Sequence, residues 1–194
     1  RILYLLLALS LVLPELKAKV NDSVDAVLKE LDAVIQQKDK YTLPKEAELT
    51  VLRSRLKHAK DSRQKYELCD KLFSSYLHYQ ADSALAYVEK KRELLPLLNE
   101  PLLEQELIIN SAEVMGVMGM YSWAEELLSQ VKPETLTPSL LGYYYRTVRA
   151  NYGWFADYLI NKDLKEYYQT QAHIYRDSIM ITTTPGIDHD IVEA

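Results

Sequence analysis

From Asn21 onward the apolar residues Val24, Val27, Leu28, Leu31, Val34 and Ile35 recur at steps of three and four. That spacing puts them on one face of an amphipathic helix, with the Asn21, Asp22, Ser23 cluster as its cap. Lys38 to Thr42 reads as a polar break. Pro44 then reads as a first-turn residue of a second helix striped by Leu49, Leu52, Leu56 and Ala59, so that the two helices make a hairpin. The pattern repeats. Asp61 or Ser62 caps a third helix carrying Tyr66, Cys69, Leu72, Phe73 and Tyr76, and Asp82 caps a fourth that begins SALAYVEKKRELL. Asn99 and Pro101 open a fifth, through Leu103, Leu107, Ile108, Ala112 and Met115, and Gly119 ends it. Ser122 to Val131 is a sixth, Thr137 and Pro138 start a long seventh, and DLKEYYQTQAHIYRDSIM carries the eighth. Ile181 to Gly186 reads as a loop, with Asp188 capping a truncated ninth helix.

Four successive helical hairpins imply an all-α solenoid, because each pair exposes a face that only its neighbours can cover. Small residues where paired helices approach closely favour a tetratricopeptide-like, right-handed stack. Ala112, Gly119 at the turn, Tyr121, Ala124 and Leu128 fit that spacing, and Ala84 holds the place equivalent to Ala124 one pair earlier. Ala84 and Ala124 are forty residues apart, longer than the 34 of the repeat, so the units are degenerate. Few glycines (5) beside many Leu, Ala, Glu, Lys and Gln residues agree with helix over sheet.

The amino-terminal segment RILYLLLALSLVLPELKA has a cation, an apolar run and a small residue after a helix breaker. Residues 1–18 therefore read as a secretory leader, the apolar run being short of the ~20 residues that cross a bilayer. An uncleaved signal anchor is the alternative. The repeat array then occupies residues 19–180, and 181–194 hold the loop and the start of a further helix. No cysteine follows the leader to accept a lipid. The formal net charge of −5 gives nucleic acid no electrostatic attraction.

Chemistry is sparse. Gly116 and Gly119 have no strand before them and no lysine soon after, so they read as packing and turn residues and not as a phosphate loop. The single cysteine, Cys69, lies in an apolar stripe, and the four histidines show no metal-ligand spacing. Asp188, His189 and Asp190 are the densest potential ligand cluster but read as capping residues. No metal, cofactor or catalytic constellation is expected, and the chain reads as a non-enzyme. The run Glu89 to Glu93, EKKRE, reads as a solvated helix face. Fifteen tyrosines stand out. Tyr143, Tyr144 and Tyr145, with Tyr152, Trp154 and Phe155, share the seventh helix, where successive residues point about 100° apart and cannot all face one core. They either fill space between degenerate repeats or offer a ligand surface. The candidate groove is Tyr144, Tyr145, Arg149 and Trp154, with Glu106 and Glu113 on the neighbouring helix.

LDAVIQQKDKY (Leu31 to Tyr41), SSYLHYQADSALAYVEKK (Ser74 to Lys91) and IYRDSIM (Ile174 to Met180) resemble the amino-terminal region of a family of Bacteroides membrane-associated transcriptional regulators. The resemblance spans about Val20 to Met180. It implies an exported tetratricopeptide-like sensor on the periplasmic face of the inner membrane, answering to an oligosaccharide such as maltose or a starch oligomer, or to a protein ligand. It also implies membrane attachment through the signal anchor or a later transmembrane helix, and DNA contact only through a carboxy-terminal region beyond Ala194. A homodimer is compatible with it. A scaffold that binds peptides during envelope protein assembly is the alternative function.

Overall fold

The computed structural model describes residues 24–182, all in helices and short connections. The leader expected at 1–18, the cap cluster Asn21 to Ser23, residues 183–186 of the loop expected at 181–186, and the acidic cluster and ninth helix expected beyond it lie outside those described residues. By compactness the chain divides into two units, Arg1–Thr50 and Val51–Ala194.

In the first unit a helix over residues 24–36, α1, carries the apolar stripe. Every described residue of α1 is exposed, and Val24, Val27, Leu28, Leu31, Val34 and Ile35 each keep half or more of their surface in solvent. The expected first hairpin therefore does not form. Its cause is the connection: the polar run does not break the helix, and the interruption is one turn residue, Gln37, where two or more are needed to reverse a chain between helices. The second helix, α2, starts earlier than expected and runs Lys38–His58 with Pro44 inside it. Proline removes the amide that would bond the Lys40 carbonyl. Lys40 and Tyr41 are exposed, so water can satisfy that carbonyl, and the Thr42 hydroxyl donates to the Lys38 carbonyl (3.2 Å).

The second unit holds three antiparallel pairs: α3 (Ser62–Tyr76) on α4 (Ala81–Leu98), α5 (Pro101–Val117) on α6 (Tyr121–Leu128), and α7 (Pro138–Tyr158) on α8 (Lys162–Thr182). Each pair packs on the next through α4 with α5, α5 with α7, and α6 with α7. Among the described residues the result is an all-α helical-repeat stack with no strand. Each pair buries its own apolar seam, and the second and third pairs share one cluster. Tyr66, Cys69, Leu72, Phe73 and Tyr76 of α3 meet Ala84, Tyr87 and Val88 of α4, with the Tyr76 and Tyr87 rings stacked at 5.6 Å. Ile109 and Ala112 of α5 then join Ala124 and Leu128 of α6 and Tyr144 and Val148 of α7.

Local chemistry explains most boundaries. The Asp61 carboxylate accepts from the Gln64 amide at 2.8 Å and caps α3. Thr137 caps α7, with Pro138 in its first turn. Gly119, at φ +80°, makes the α5–α6 turn in a conformation that costs glycine nothing. Two expected caps are reassigned. Asp82 sits inside the first turn of α4, where its charge suits the helix dipole, and Gln80 is the flanking residue. Asn99 terminates α4 in the left-handed region (φ 50°), its amide bonding the Leu95 carbonyl, and Glu100 precedes Pro101 at the start of α5. Asparagine tolerates that conformation better than most residues, so it serves the earlier helix. α6 is shorter than expected, giving way to a 3-10 turn at Pro133–Thr135, and α8 takes in Ile181 and Thr182. No described helix is long and apolar enough to cross a membrane.

Candidate functional site

The first helices of the three pairs, α3, α5 and α7, line a groove of about 580 Å³. Each contributes a stripe at helical spacing: Arg63, Asp70 and Phe73 from α3; Glu106, Asn110 and Glu113 from α5; Tyr143 and Arg146 from α7.

The groove floor is organised by a cation that reaches it from behind. Lys91, on α4, is fully buried. Its ammonium lies 2.5 Å from Asp70 Oδ1, 2.7 Å from Glu106 Oε1 and 2.6 Å from Asn110 Oδ1, so all three of its donors are used. The same ammonium sits 4.6 Å from the centroid of the Tyr66 ring. Burial of a lysine is costly unless the charge is paired, and here two carboxylates and an amide pair it. One side chain thereby ties α3, α4 and α5 together.

A second strand of hydrogen bonds carries the network to α7. Asn110 Nδ2 donates to the Tyr143 hydroxyl at 2.8 Å, and that hydroxyl donates to Glu113 Oε2. Burial pushes the Glu113 carboxyl above its ordinary range, against the opposing effect of the Tyr143 hydrogen bond. Burial, reinforced by Glu113, holds the Tyr143 phenol well above its own. At the mouth, Arg63 Nη1 lies 2.8 Å from both oxygens of Glu100, and the Arg146 guanidinium lies 5.8 Å from the centroid of the Tyr143 ring.

The shifted carboxyl of Glu113 has a definite pH signature. Because its folded-state value is raised, the stability it contributes is complete below the ordinary glutamate value of 4.5 and is lost as pH rises through the raised value. Glu113→Gln keeps an acceptor for Tyr143 and removes the titration. The variant is expected to be more stable than the wild type at neutral pH, with the gap closing on acidification. Urea midpoints from pH 4 to 8 check this; a gap that stays constant with pH would disprove it.

Of the residues the sequence nominates, Glu106 and Glu113 line this groove. The others are elsewhere. Tyr144 is buried in the core and Tyr145 half-buried beside it, both facing Tyr175 of α8. Trp154 packs over Gly116, where an added Cβ would stand 3.2 Å from its ring, and Arg149 does not line the groove. Tyr143 and Arg146 occupy the groove face of α7 instead. The repeat positions Ala84, Ala112 and Ala124 have no exposed surface, Leu128 is buried, and Tyr121 stacks on Phe155.

The reading of Glu89 to Glu93 as a solvated face is overturned at Lys91. A usable signal was present, since Lys91 lies seven, four and three residues after Ala84, Tyr87 and Val88, all on the buried stripe of α4. Cys69 is buried, and that burial pushes its thiol up. Among the described residues no group of three or more His, Cys, Asp or Glu is placed to hold a metal.

A family model described as the SusR N-terminal TPR domain matches residues 35–193. No curated protein and no solved structure gives a match. Helix pairs stacked in tandem are what a tetratricopeptide domain consists of, and with a match covering most of its length the chain belongs to the SusR N-terminal TPR domain family.

Proposed function

We propose that this domain is the exported sensory region of a membrane-associated transcriptional regulator, and that the α3/α5/α7 groove takes a neutral oligosaccharide such as maltose or a starch oligomer. The family match supports a sensing or protein-interaction region of a regulator. The observation that carries the finer reading is the internal neutralisation of the groove. Arg63, Lys91 and Arg146 are balanced by Asp70, Glu100 and Glu106, while Glu113 is pushed toward its neutral form. A groove so nearly balanced offers hydrogen-bond donors and acceptors with little net charge, which suits a hydroxyl-rich neutral ligand better than a strongly charged one.

In this reading the domain stands on the periplasmic face of the inner membrane, held by its leader as an anchor or by a span beyond Ala194. DNA contact belongs to a region further on. Ligand binding signals only if it favours one packing of the pairs over another. A ligand in the groove would touch α3, α5 and α7, which belong to three different pairs, and that contact is what such a preference needs. A saturating maltooligosaccharide, at about 100 times its Kd, is expected to stabilise the chain by about 2.7 kcal/mol and raise its melting temperature by several degrees. No shift across a panel of neutral glycans would sink the oligosaccharide reading. The second reading, a peptide-holding scaffold for envelope assembly, is favoured by the exposed apolar stripe of α1 as a surface for a protein partner, and crosslinking in envelope extracts tests it.

A further inference from the structure

A second pocket, separate from the groove, lies where the α5–α6 turn meets the end of α7. Residues Gly119 to Trp123 and Phe155 enclose about 390 Å³, and no charged side chain lines it. Its walls are aromatic and held in place. The Tyr121 ring stacks on Phe155 (5.5 Å, 27°) and leans on Tyr158 (5.6 Å, 36°), and Phe155 in turn packs on Tyr168 of α8 at 4.7 Å.

One ring is left over. α6 turns Ala124 and Leu128 into the core, and the neighbouring Trp123 keeps 62% of its surface in solvent. Leaving an indole exposed forfeits one of the largest apolar burials a side chain can supply, so the fold itself gains little from it. Met118, Met120 and Tyr158 are exposed around it. Single exposed apolar residues are ordinary, but several gathered around an aromatic pocket mark a contact surface.

The charge around the pocket narrows what makes that contact. The charges placed beside its rings are acidic: Asp157 acts on the Tyr121 phenol, and Glu125 accepts from Tyr168, the ring that packs on Phe155. An acidic rim repels an anionic bilayer and a second copy of the same surface. It does not repel a neutral sugar, whose hydroxyls can donate to carboxylates while its C–H face lies on an aromatic ring. We propose that this edge is a sugar-stacking site, in which Trp123 takes the face of a neutral pyranose and the Ser122 and Tyr121 hydroxyls lie at its margin. The site rests on the oligosaccharide reading of the domain and adds a second place of contact, outside the groove.

Site-resolved NMR of the full chain titrated with maltotriose tests it. The chain has two tryptophans, Trp123 and Trp154, hence two indole N–H signals, assigned by Trp123→Phe. The side-chain amide of Asn110 reports on the groove. The Trp123 signal is expected to move saturably while that of Trp154 stays, and Trp123→Ala, exposed and therefore tolerated by the fold, is expected to weaken the response of the Gly119 amide about tenfold. If the Asn110 amide moves and Trp123 does not, the edge site is overturned and the groove reading stands. If Trp123 alone moves, the edge site stands and the groove reading falls. If neither moves, both fall. A Trp123 signal that answers to phosphatidylcholine–phosphatidylglycerol vesicles or to protein concentration, but not to maltotriose, overturns the edge site in favour of a bilayer or a second copy.

Discussion

Lys91→Met is expected to destabilise the domain by about 2–3 kcal/mol and to lower its melting temperature by roughly 5–10 °C. Methionine matches the lysine stem in length and apolar character, so packing along α4 is largely kept. What is lost is the ammonium. Asp70 and Glu106, both within 3 Å of it in the wild type, are then left as like charges on facing helices, and Asn110 Oδ1 loses its donor. Removing one partner of a fully buried pair costs about 3–5 kcal/mol. The lower figure follows because the side chains of Asp70 and Glu106 keep 43% and 26% of their surface exposed, which lets water take up part of the charge. Adding Asp70→Asn and Glu106→Gln to Lys91→Met removes the repulsion and is expected to recover most of the loss, a non-additivity proper to groups sharing one network. Thermal and urea unfolding of the single and triple variants measure this. A single variant that melts with the wild type, or a triple variant worse than the sum of its parts, would show that the cation does not hold α3, α4 and α5 together.

The helical-pair architecture was legible because periodicity is read from many residues at once. Tyr66, Cys69, Leu72, Phe73 and Tyr76 define the inner face of α3 whichever one of them is misjudged. Ala84, Ala112 and Ala124 stand out because only small side chains fit where helices approach closely. Boundaries depend on single residues, and there the reading slipped. Asn99 can serve the helix before it or the one after it, and sequence alone does not weigh a left-handed C-terminal residue against an N-cap. The hairpin assigned to α1 and α2 failed for a related reason: a stripe predicts a buried face, but only the length of the connection decides whether the neighbouring helix can fold back to cover it. Lys91 escaped because charge overrode position. Of the nominated residues Glu106 and Glu113 line the groove, while α7 presents Tyr143 and Arg146 there and not Tyr144, Tyr145, Arg149 or Trp154. With three consecutive tyrosines, composition says that one face is special without saying which. The choice between Tyr143 and its neighbours is made by α8, which covers Tyr144 and Tyr145 and leaves Tyr143 to α5.

That division of labour along α7 gives the other large effect. Tyr144→Ala is expected to cost about 3–4 kcal/mol, in the range of large-to-small aromatic truncations in a packed core. Tyr143→Phe is expected to cost about 1 kcal/mol, the worth of the hydrogen bonds it breaks. Tyr144 keeps 7% of its surface exposed and packs among Ile109, Ala112, Leu128 and Val148. Its ring also meets Tyr145 at 5.6 Å and Tyr175 edge-on at 6.4 Å, so truncation opens a void at the seam between α7 and α8. Burial pushes the Tyr144 phenol upward, with Tyr175 adding to the effect, which is the mark of a hydroxyl kept from water. In a stack where each pair touches only its neighbours, damage to the last described pair should stay there. Hydrogen exchange in Tyr144→Ala is therefore expected to show α8 losing protection first and most, α5 and α6 less, and α3 and α4 little. Tyr143→Phe should leave α8 protected and change the groove instead, removing the hydrogen bond that opposes the rise of the Glu113 carboxyl and so enlarging the loss of stability as pH rises. Loss of protection spread evenly from α3 to α8 would mean that the second unit folds as one cooperative block, in which ligand contact with separate pairs could not shift one against another.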